Sequence, residues 1–209
     1  MTGYALCGLL CVAAYLIGSV PSSVWIGKIF YGIDVREHGS GNAGTTNTIR
    51  VLGAKPGMIV FAIDALKGFA AVSLAHLSHF EAGSTPFVNI QLLLGICAVL
   101  GHIFPIYAHF KGGKGVATML GIIIAIHPLA ALICFAVFAV VLSISKYVSL
   151  GSMIAGVTFP ILIIAVFQIH IISLMIFSVA VSLLLIVTHK KNIKRLLNHE
   201  ENVFSFKKK

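Results

Sequence analysis

The segment GVATMLGIIIAIHPLAALICFAVFAVVLSIS, residues 115–145, contains no Asp, Glu, Lys or Arg. As one continuous helix it would extend for about 46 Å, at 1.5 Å per residue, whereas the hydrocarbon core of a bilayer is about 30 Å thick. The segment is too long for one crossing and short for two, and His127–Pro128 lies near its middle. Because proline interrupts the hydrogen-bond ladder of a helix, we predict two short spans here.

The other apolar segments predict five further spans. Residues 147–189 also lack charged side chains, and they are long enough for two crossings with a turn near 168–170. Before residue 115, apolar runs predict spans at about 4–25, 57–77 and 88–105. The total is seven helices in an all-α polytopic membrane protein. Five is the alternative, if residues 115–145 enter the bilayer without crossing it.

The composition agrees with a membrane protein. Hydrophobic residues make up 58% of the 209 residues and charged residues only 10%, compared with about 25% charged in soluble domains. We expect one membrane-embedded domain over residues 1–209. The four cysteines lie inside apolar runs without metal-type spacing, so we expect neither disulfides, nor a metal ion, nor another cofactor.

The distribution of basic residues predicts the orientation. With seven spans, fourteen of the fifteen Lys and Arg residues fall on one side of the membrane, and Lys67 alone lies within a span. The positive-inside rule places that side in the cytoplasm, with the N-terminus outside and the C-terminus inside. The basic tail, 189–209, should lie along an anionic leaflet. Orientation and lipid contact account for the net charge of +9, so nucleic acid is not an expected partner.

A polar loop, GSGNAGTTNTIR at 39–50, follows the first span. Glycines allow a tight turn and close approach of backbone N–H groups to a ligand, and Arg50 adds a two-pronged donor suited to phosphate. The stretch therefore predicts a site for a small anionic ligand. Gly39, Gly41 and Gly44 match the G-x-G-x-x-G fingerprint, but a dinucleotide site requires a preceding strand, and an apolar membrane run stands there instead.

Two further clusters lie in the central part of the chain. Residues 111–115, KGGKG, lead into a helix N-terminus, where N–H groups and the helix dipole favour phosphate. An ordinary basic loop is the alternative. Asp64 and Lys67 share a helical face within a span, as a buried structural ion pair or as part of the site. His102 borders the KGGKG loop, where packing and function are equally open.

The last cluster combines KYVSLGS, 146–152, with HKKNIKRLL, 189–197. Alone it resembles any basic helix at a membrane edge, although His189 beside Asn192 could position a substrate. Four other histidines lie near the predicted outer side, and we expect them to be structural: His76, His79, His127 and His170.

Taken in order, GSGNAGTTNTIR, D-x-x-KG, GHIFPIYAHFKGGKGVAT, KYVSLGS and HxxNIxRLL resemble the bacterial acyl-phosphate:glycerol-3-phosphate acyltransferases, the PlsY family. The resemblance implies a multi-pass enzyme of the bacterial inner membrane with a cytoplasmic active site. It implies acyl transfer from acyl phosphate to the 1-hydroxyl of glycerol 3-phosphate, giving lysophosphatidate and phosphate. Acyl-CoA is not used, and an enzyme that produces acyl phosphate is the expected pathway neighbour.

The resemblance also implies roles for individual residues. The expected catalytic residues are Ser40, Arg50, Lys111, His189 and Asn192, with Arg50 gripping a phosphate. The expected substrate- and phosphate-binding residues are Gly39, Gly41, Asn42, Thr46, Asn47, Gly112, Gly113, Lys114 and Gly115, with Ser149 and Ser152 as alternatives for one site serine. Asp64, Lys67 and His102 are expected to support the site. The family is thought to need no protein general base, because a substrate phosphate takes the proton.

Three positions depart from the family pattern: Ala43 replaces a common proline, Thr45 a smaller residue, and His199 a glycine. A membrane transporter for phosphate or another anion is the alternative function, with the glycine loops and the Asp64–Lys67 pair along a polar pathway. The predicted outer turns and most spans carry few polar residues to continue such a pathway. A non-catalytic lipid-binding subunit would not require Arg50, Lys111 and Lys114 together.

Overall fold

The computed structural model describes residues 3–204, and every regular element in this range is a helix, which confirms the predicted all-α class. The chain forms two compact units, which within the described range comprise residues 3–126 and 127–204. The boundary is His127–Pro128, where the sequence predicts a break. The expectation of one domain over residues 1–209 stays a prediction.

The first unit contains six α-helices. They are α1 (Gly3–Gly18), α2 (Ser22–Tyr31), α3 (Thr45–Leu52), α4 (Ala54–Ser73), α5 (Thr85–Ile103) and α6 (Val116–Ile126). Helix α4 continues as a 3₁₀ turn, Leu74–Leu77, and this pair covers the span predicted at 57–77. Helix α5 covers the span predicted at 88–105. Both predicted spans therefore exist as apolar helices.

The first predicted span, 4–25, is not one helix. Helices α1 and α2 are bent by 42° relative to each other at the break between Gly18 and Ser22. Pro21 lies in this break and cannot donate a backbone hydrogen bond, while the Ser19 hydroxyl donates to the Tyr15 carbonyl at 2.8 Å. The sequence contained Pro21, but the continuous apolar run concealed the bend.

Close helix crossings in the first unit depend on small residues. A Cβ atom on Gly68 of α4 would collide with the Thr118 carbonyl of α6, and one on Gly121 of α6 would collide with the Ala65 carbonyl of α4. A Cβ atom on Gly18 of α1 would likewise collide with the Ala98 carbonyl of α5. Backbones in contact at these points fix α6 against α4 and α5 against α1.

The second unit contains α7 (Pro128–Ser145), α8 (Val148–Ile161), α9 (Ile172–Thr188) and α10 (Lys190–Leu197). His127 is the N-cap of α7, because its ring Nδ1 accepts a hydrogen bond from the Ala130 N–H at 3.1 Å. Helix α8 contains Pro160 and continues as a short π-helix, Leu162–Val166. The turn predicted near 168–170 falls between this π-helix and α9.

Four of these elements are long and apolar enough to cross a membrane, and six are if each bent pair, α1–α2 and α9–α10, counts as one span. A seventh span would require α6, which has 11 residues and a length of about 16 Å. The count of seven and the orientation of the termini stay predictions. The predicted tail, 189–209, is described as far as residue 204.

Candidate active site

The first glycine loop, residues 39–44, is shaped by one buried side chain. Asn47 in α3 is only 2% exposed. Its Oδ1 accepts a hydrogen bond from the Ser40 N–H at 2.8 Å, and its Nδ2 donates to the carbonyls of Val35 and His38 at 2.7 and 3.1 Å. Asn47 therefore holds the loop in place, and this use of its donors favours a shaping role over direct contact with a substrate.

Two glycines of this loop have left-handed backbone conformations, with φ of +61° at Gly39 and +72° at Gly41. A Cβ on Gly39 would also collide with Asn47 Oδ1, so the loop requires glycine there for two reasons. Ser40, between them, is exposed. The Thr45 hydroxyl at the start of α3 is buried without a hydrogen-bond partner among the described residues.

The other predicted residues of this loop lie around the same turn. Asn42, Thr46 and Arg50 are each half-buried. Arg50 lies in the last turn of α3. Ala43, at the position where the family commonly has proline, is buried.

The second glycine loop, residues 111–115, is built on a backbone hairpin. After α5, the chain turns through 105–110, and the N–H groups of Gly112 and Gly113 donate to the carbonyls of Ile103 and His102 at 3.1 and 3.2 Å. A Cβ on Gly112 would collide with the His102 carbonyl, and one on Gly113 with the His102 ring. The two central glycines are therefore required by close packing on α5.

The hairpin places Lys111 and Lys114 just before the start of α6. Lys111 is exposed and Lys114 is half-buried. Gly115, with φ of +82°, is followed directly by Val116, the first residue of α6. The predicted arrangement of two lysines and a glycine at a helix N-terminus is present.

A buried polar network lies beneath this loop. Asp64 and Lys67, 2% and 5% exposed, form an ion pair of 2.9 Å. The Ser22 hydroxyl donates to Asp64 Oδ1 at 2.7 Å, and Lys67 Nζ donates to the Val20 carbonyl at 2.9 Å. The three predicted supporting residues are thus neighbours, because His102 Nδ1 lies 3.8 Å from Asp64 Oδ1.

His102 connects the network to α6 and to the loops. Its Nδ1 shares a hydrogen bond of 3.1 Å with the Thr118 hydroxyl. A small cavity of about 10 Å³ is lined both by this network and by the two loops. The residues that line it include Ala43 of the first loop and both glycines, Gly112 and Gly113, of the second. The two glycine loops therefore adjoin each other above the ion pair.

Arg36 also joins the two loops, although its sequence context shows nothing beyond a basic residue in a basic region. Its Nε and Nη2 donate to Asp34 Oδ1 and Oδ2 at 3.0 and 2.7 Å, while Nη1 donates to the carbonyls of Ala108 and Lys111 at 3.0 and 3.2 Å. Hydrogen bonds from Arg36 hold the pKa of Asp34 well below its usual range, and Asp34 raises the pKa of Arg36. Both groups are therefore charged at neutral pH.

In the second unit, the Glu201 carboxylate accepts hydrogen bonds from three side chains. Its Oε1 accepts hydrogen bonds from the Ser149 hydroxyl at 3.1 Å and from Asn192 Nδ2 at 2.8 Å, and its Oε2 accepts one from Arg195 Nε at 2.9 Å. The Ser152 hydroxyl instead donates to the Val148 carbonyl of its own helix at 2.8 Å. Of the two candidate serines, Ser149 is the one in the cluster.

His189 lies at the junction of α9 and α10 and is 3% exposed. Its Nδ1 lies 2.8 Å from the Leu185 carbonyl and donates a hydrogen bond to it, since a carbonyl oxygen can only accept. The sequence pattern places His189 beside Asn192, but it does not single out Glu201. Its 52-residue separation from Ser149 explains why sequence reasoning missed its central position.

Comparison with known proteins shows the family to which the chain belongs. The family model described as "Glycerol-3-phosphate acyltransferase" matches residues 8–199. The chain belongs to the glycerol-3-phosphate acyltransferase family. Among members of this family, the Bacillus subtilis (strain 168) protein is 45% identical over 94% of this chain and 96% of its own length. The Geobacillus kaustophilus (strain HTA426) protein is 46% identical over 92% of this chain and 93% of its own length.

Two solved structures of a family member have the same fold. Both are of PlsY (YgiH), an integral membrane glycerol 3-phosphate acyltransferase, and each is 36% identical to this chain. The glycerol 3-phosphate form has a TM-score of 0.85 over 95% of this chain and 96% of that chain. The lysophosphatidic acid form has a TM-score of 0.83 over 96% of both. The resemblance to the PlsY family is confirmed, and this chain is a multi-pass membrane protein and an acyltransferase.

Proposed function

We propose that this chain transfers a fatty acyl group from acyl phosphate to the 1-hydroxyl of glycerol 3-phosphate, forming lysophosphatidate and phosphate. The observation that carries the proposal is the meeting of the two glycine loops at Ala43 and Gly113, beside Lys111 and Lys114, in a member of this acyltransferase family. Both substrates carry phosphate, and a pair of adjoining loops with lysines and backbone N–H groups suits such ligands.

The chemistry requires positioning more than it requires a protein nucleophile. Acyl phosphate is a mixed anhydride, so phosphate is already a good leaving group. The 1-hydroxyl oxygen bonds to the acyl carbon, the bond from that carbon to the phosphate oxygen breaks, and a substrate phosphate takes the hydroxyl proton. Holding the hydroxyl against the carbonyl supplies much of the rate enhancement through effective molarity. Cationic side chains and backbone N–H groups stabilise the developing oxyanion and the departing phosphate.

In this proposal Arg50, Lys111 and Lys114 bind phosphate groups, with Ser40 and the backbone of residues 112–115 as further donors. His189 and Asn192 also serve the reaction, and Ser149 is the site serine, because it shares Glu201 with Asn192. Asp64, Lys67 and His102 support the second glycine loop from below. No acyl-enzyme forms on Ser40. Isolation of an acyl-Ser40 ester after rapid quenching with labelled acyl phosphate would overturn this direct-transfer mechanism.

The deciding experiment is an assay of the purified protein in detergent with labelled glycerol 3-phosphate. Palmitoyl phosphate and palmitoyl-CoA are compared as donors. We expect product from palmitoyl phosphate alone, and a fall of about 10²–10³-fold in kcat/KM for Arg50→Ala, as for loss of a transition-state donor. Lys55→Ala is the matched control, because Lys55 is an exposed cation only five residues away.

Three results of this assay would count against the proposal. Product from palmitoyl-CoA would overturn the donor class. Full activity in Arg50→Ala would overturn its phosphate-binding role. No product from either donor, with protein that melts cooperatively, would favour phosphate or anion transport, which uptake of labelled phosphate into proteoliposomes then tests.

We also propose that residues 1–209 act as one acyltransferase domain with seven spans, the N-terminus outside and the glycine loops in the cytoplasm of a bacterial inner membrane. The family model runs across both units, and the charge distribution supports the orientation. Single cysteines in a variant without native cysteines test it. In intact cells, an impermeant thiol reagent should label a cysteine at Ser84 and spare one at Lys111. The reverse pattern would overturn the orientation.

A further inference from the structure

The turn between α5 and the second glycine loop has an unfavourable backbone conformation. His109 and Phe110 have φ of +54° and +58°, in the left-handed region that residues with a side chain rarely adopt. Phe110 is 58% exposed, so burial of its ring does not account for the conformation. Such a turn persists only where surrounding contacts fix it, and it directly precedes Lys111.

Arg36 makes contacts that fix this turn. Its Nη1 donates to the Ala108 carbonyl at 3.0 Å and to the Lys111 carbonyl at 3.2 Å, so that one nitrogen bridges the residues on either side of His109 and Phe110. The guanidinium is itself held by Asp34 through two parallel hydrogen bonds. This fork geometry requires arginine, since lysine has a single nitrogen.

Arg36 is also attached to the first glycine loop. It lies in the 3₁₀ turn Val35–Glu37, and the carbonyls of Val35 and His38 on either side accept the hydrogen bonds of Asn47. Asn47 in turn holds the Ser40 N–H. Arg36 thus has one rigid connection to the loop of Ser40 and another to the carbonyl of Lys111.

We propose that Arg36, held by Asp34, is a positioning residue for the reaction, which locks the left-handed turn at His109–Phe110 and thereby places Lys111 relative to the first glycine loop. The inference rests on the proposed function. Arg36 acts through Lys111, so its loss should reproduce the kinetic signature of losing the Lys111 side chain, in weaker form.

The test measures kcat and the KM values for glycerol 3-phosphate and palmitoyl phosphate in Lys111→Ala, Arg36→Ala and Arg36→Lys. Arg36→Ala should raise the same KM that Lys111→Ala raises, and by about 10-fold. Arg36→Lys should raise that KM by nearly as much. Lys28→Ala is the matched control. Lys28 contacts the same Asp34 carboxylate at 3.2 Å but is 56% exposed, and within the described part of the chain it has no hydrogen bond or ion pair with the turn, so wild-type kinetics are expected.

A second variant separates positioning from general stability. Glycine adopts the left-handed region without penalty, so Phe110→Gly should make the turn less dependent on Arg36. Arg36→Ala/Phe110→Gly should regain at least half of the lost efficiency, on a logarithmic scale, while Phe110→Gly alone stays near wild type. A merely structural role for Arg36 predicts no recovery. If Arg36→Ala does not fold, Arg36→Lys with and without Phe110→Gly provides the same comparison.

The possible results are distinguishable. Wild-type protein without activity would refute the proposed function. Active wild-type protein, with Lys111→Ala impaired and Arg36→Ala unimpaired, would overturn the inference alone. An Arg36→Ala variant that raises a different KM from Lys111→Ala, or that Phe110→Gly does not improve, would also overturn it.

Discussion

Asp64 and Glu201 are both buried carboxylates, but they are held by different kinds of structure. Asp64 lies within α4, and its ion-pair partner, Lys67, is three residues away on the same helix. Glu201 follows α10 in a segment without regular structure, and its donors come from α8 and α10. Arg195, the cation beside Glu201, is 33% exposed, compared with 5% for Lys67.

These different surroundings predict different consequences when each carboxylate is removed. Without Asp64, the buried Lys67 would lose its counter-charge, which is strongly destabilising. Without Glu201, water could hydrate Arg195, and the main loss would be the alignment of Ser149 and Asn192. Asp64 should therefore matter most for stability, and Glu201 more for the geometry of its cluster.

The largest expected effect is that of Asp64→Asn. We expect a loss of about 3–5 kcal/mol of folding free energy, because Lys67 stays buried and loses its counter-charge. Thermal unfolding in detergent, followed by loss of the monodisperse peak, measures it. Asp64→Asn/Lys67→Met removes both charges and should recover most of the stability. If Asp64→Asn melted at the same temperature as the wild type, the proposed difference between Asp64 and Glu201 would be wrong.

The next effect is that of Glu201→Gln, which keeps one carbonyl acceptor but removes the charge. We expect a stability loss of about 1–3 kcal/mol and a fall in kcat/KM that exceeds what the fraction of unfolded protein explains. Glu200→Gln is the matched control, since Glu200 is the exposed neighbour. If Glu201→Gln were as destabilising as Asp64→Asn, the proposed contrast would be wrong.

A smaller effect separates the two serines of α8. Ser149→Ala removes a donor to Glu201 and should lower activity by the equivalent of about 1 kcal/mol, or roughly fivefold. Ser152→Ala removes only a bond to a carbonyl of its own helix, so we expect little change. Initial rates with both substrates saturating compare the two variants. Equal losses would remove the preference for Ser149.

The smallest expected effect concerns pH. The pKa of Asp34 is lowered in the folded protein, so its contribution to stability is complete above the usual carboxyl pKa and is lost only as the pH falls toward the lowered value. For each substrate, the KM of Asp34→Asn divided by the KM of the wild type should stay constant between pH 5.5 and 8. The ratio cancels the titration of the substrate phosphates. A ratio that converges toward one near pH 5.5 would show that Asp34 titrates in this window.

Much of the fold could be predicted because bilayers constrain sequence strongly. Apolar length predicted α4 and α5, and the His127–Pro128 break was visible as a proline within an apolar run. The bend between α1 and α2 was missed, because hydropathy averages over the polar residues at the break. Of the two short spans predicted in 115–145, α6 is short, with 11 residues, whereas α7 has 18.

The site was predictable where its chemistry is local in sequence. The glycine loops and the i,i+3 pair of Asp64 and Lys67 are short motifs, and the structure contains all of them. Arg36 and Glu201 were not singled out, because their partners lie 72 and 52 residues away. A sequence shows that a charge is present, whereas its partner depends on how the chain folds back.

The shortness of α6 has a consequence for the biogenesis of the protein. At about 16 Å, this helix is far shorter than the hydrocarbon core, so it cannot become a stable membrane segment by partitioning on its own. Its glycine contacts are with α4, which is synthesised more than forty residues earlier and carries the charged pair. The placement of α6 therefore depends on packing against α4 more than on its own hydrophobic length.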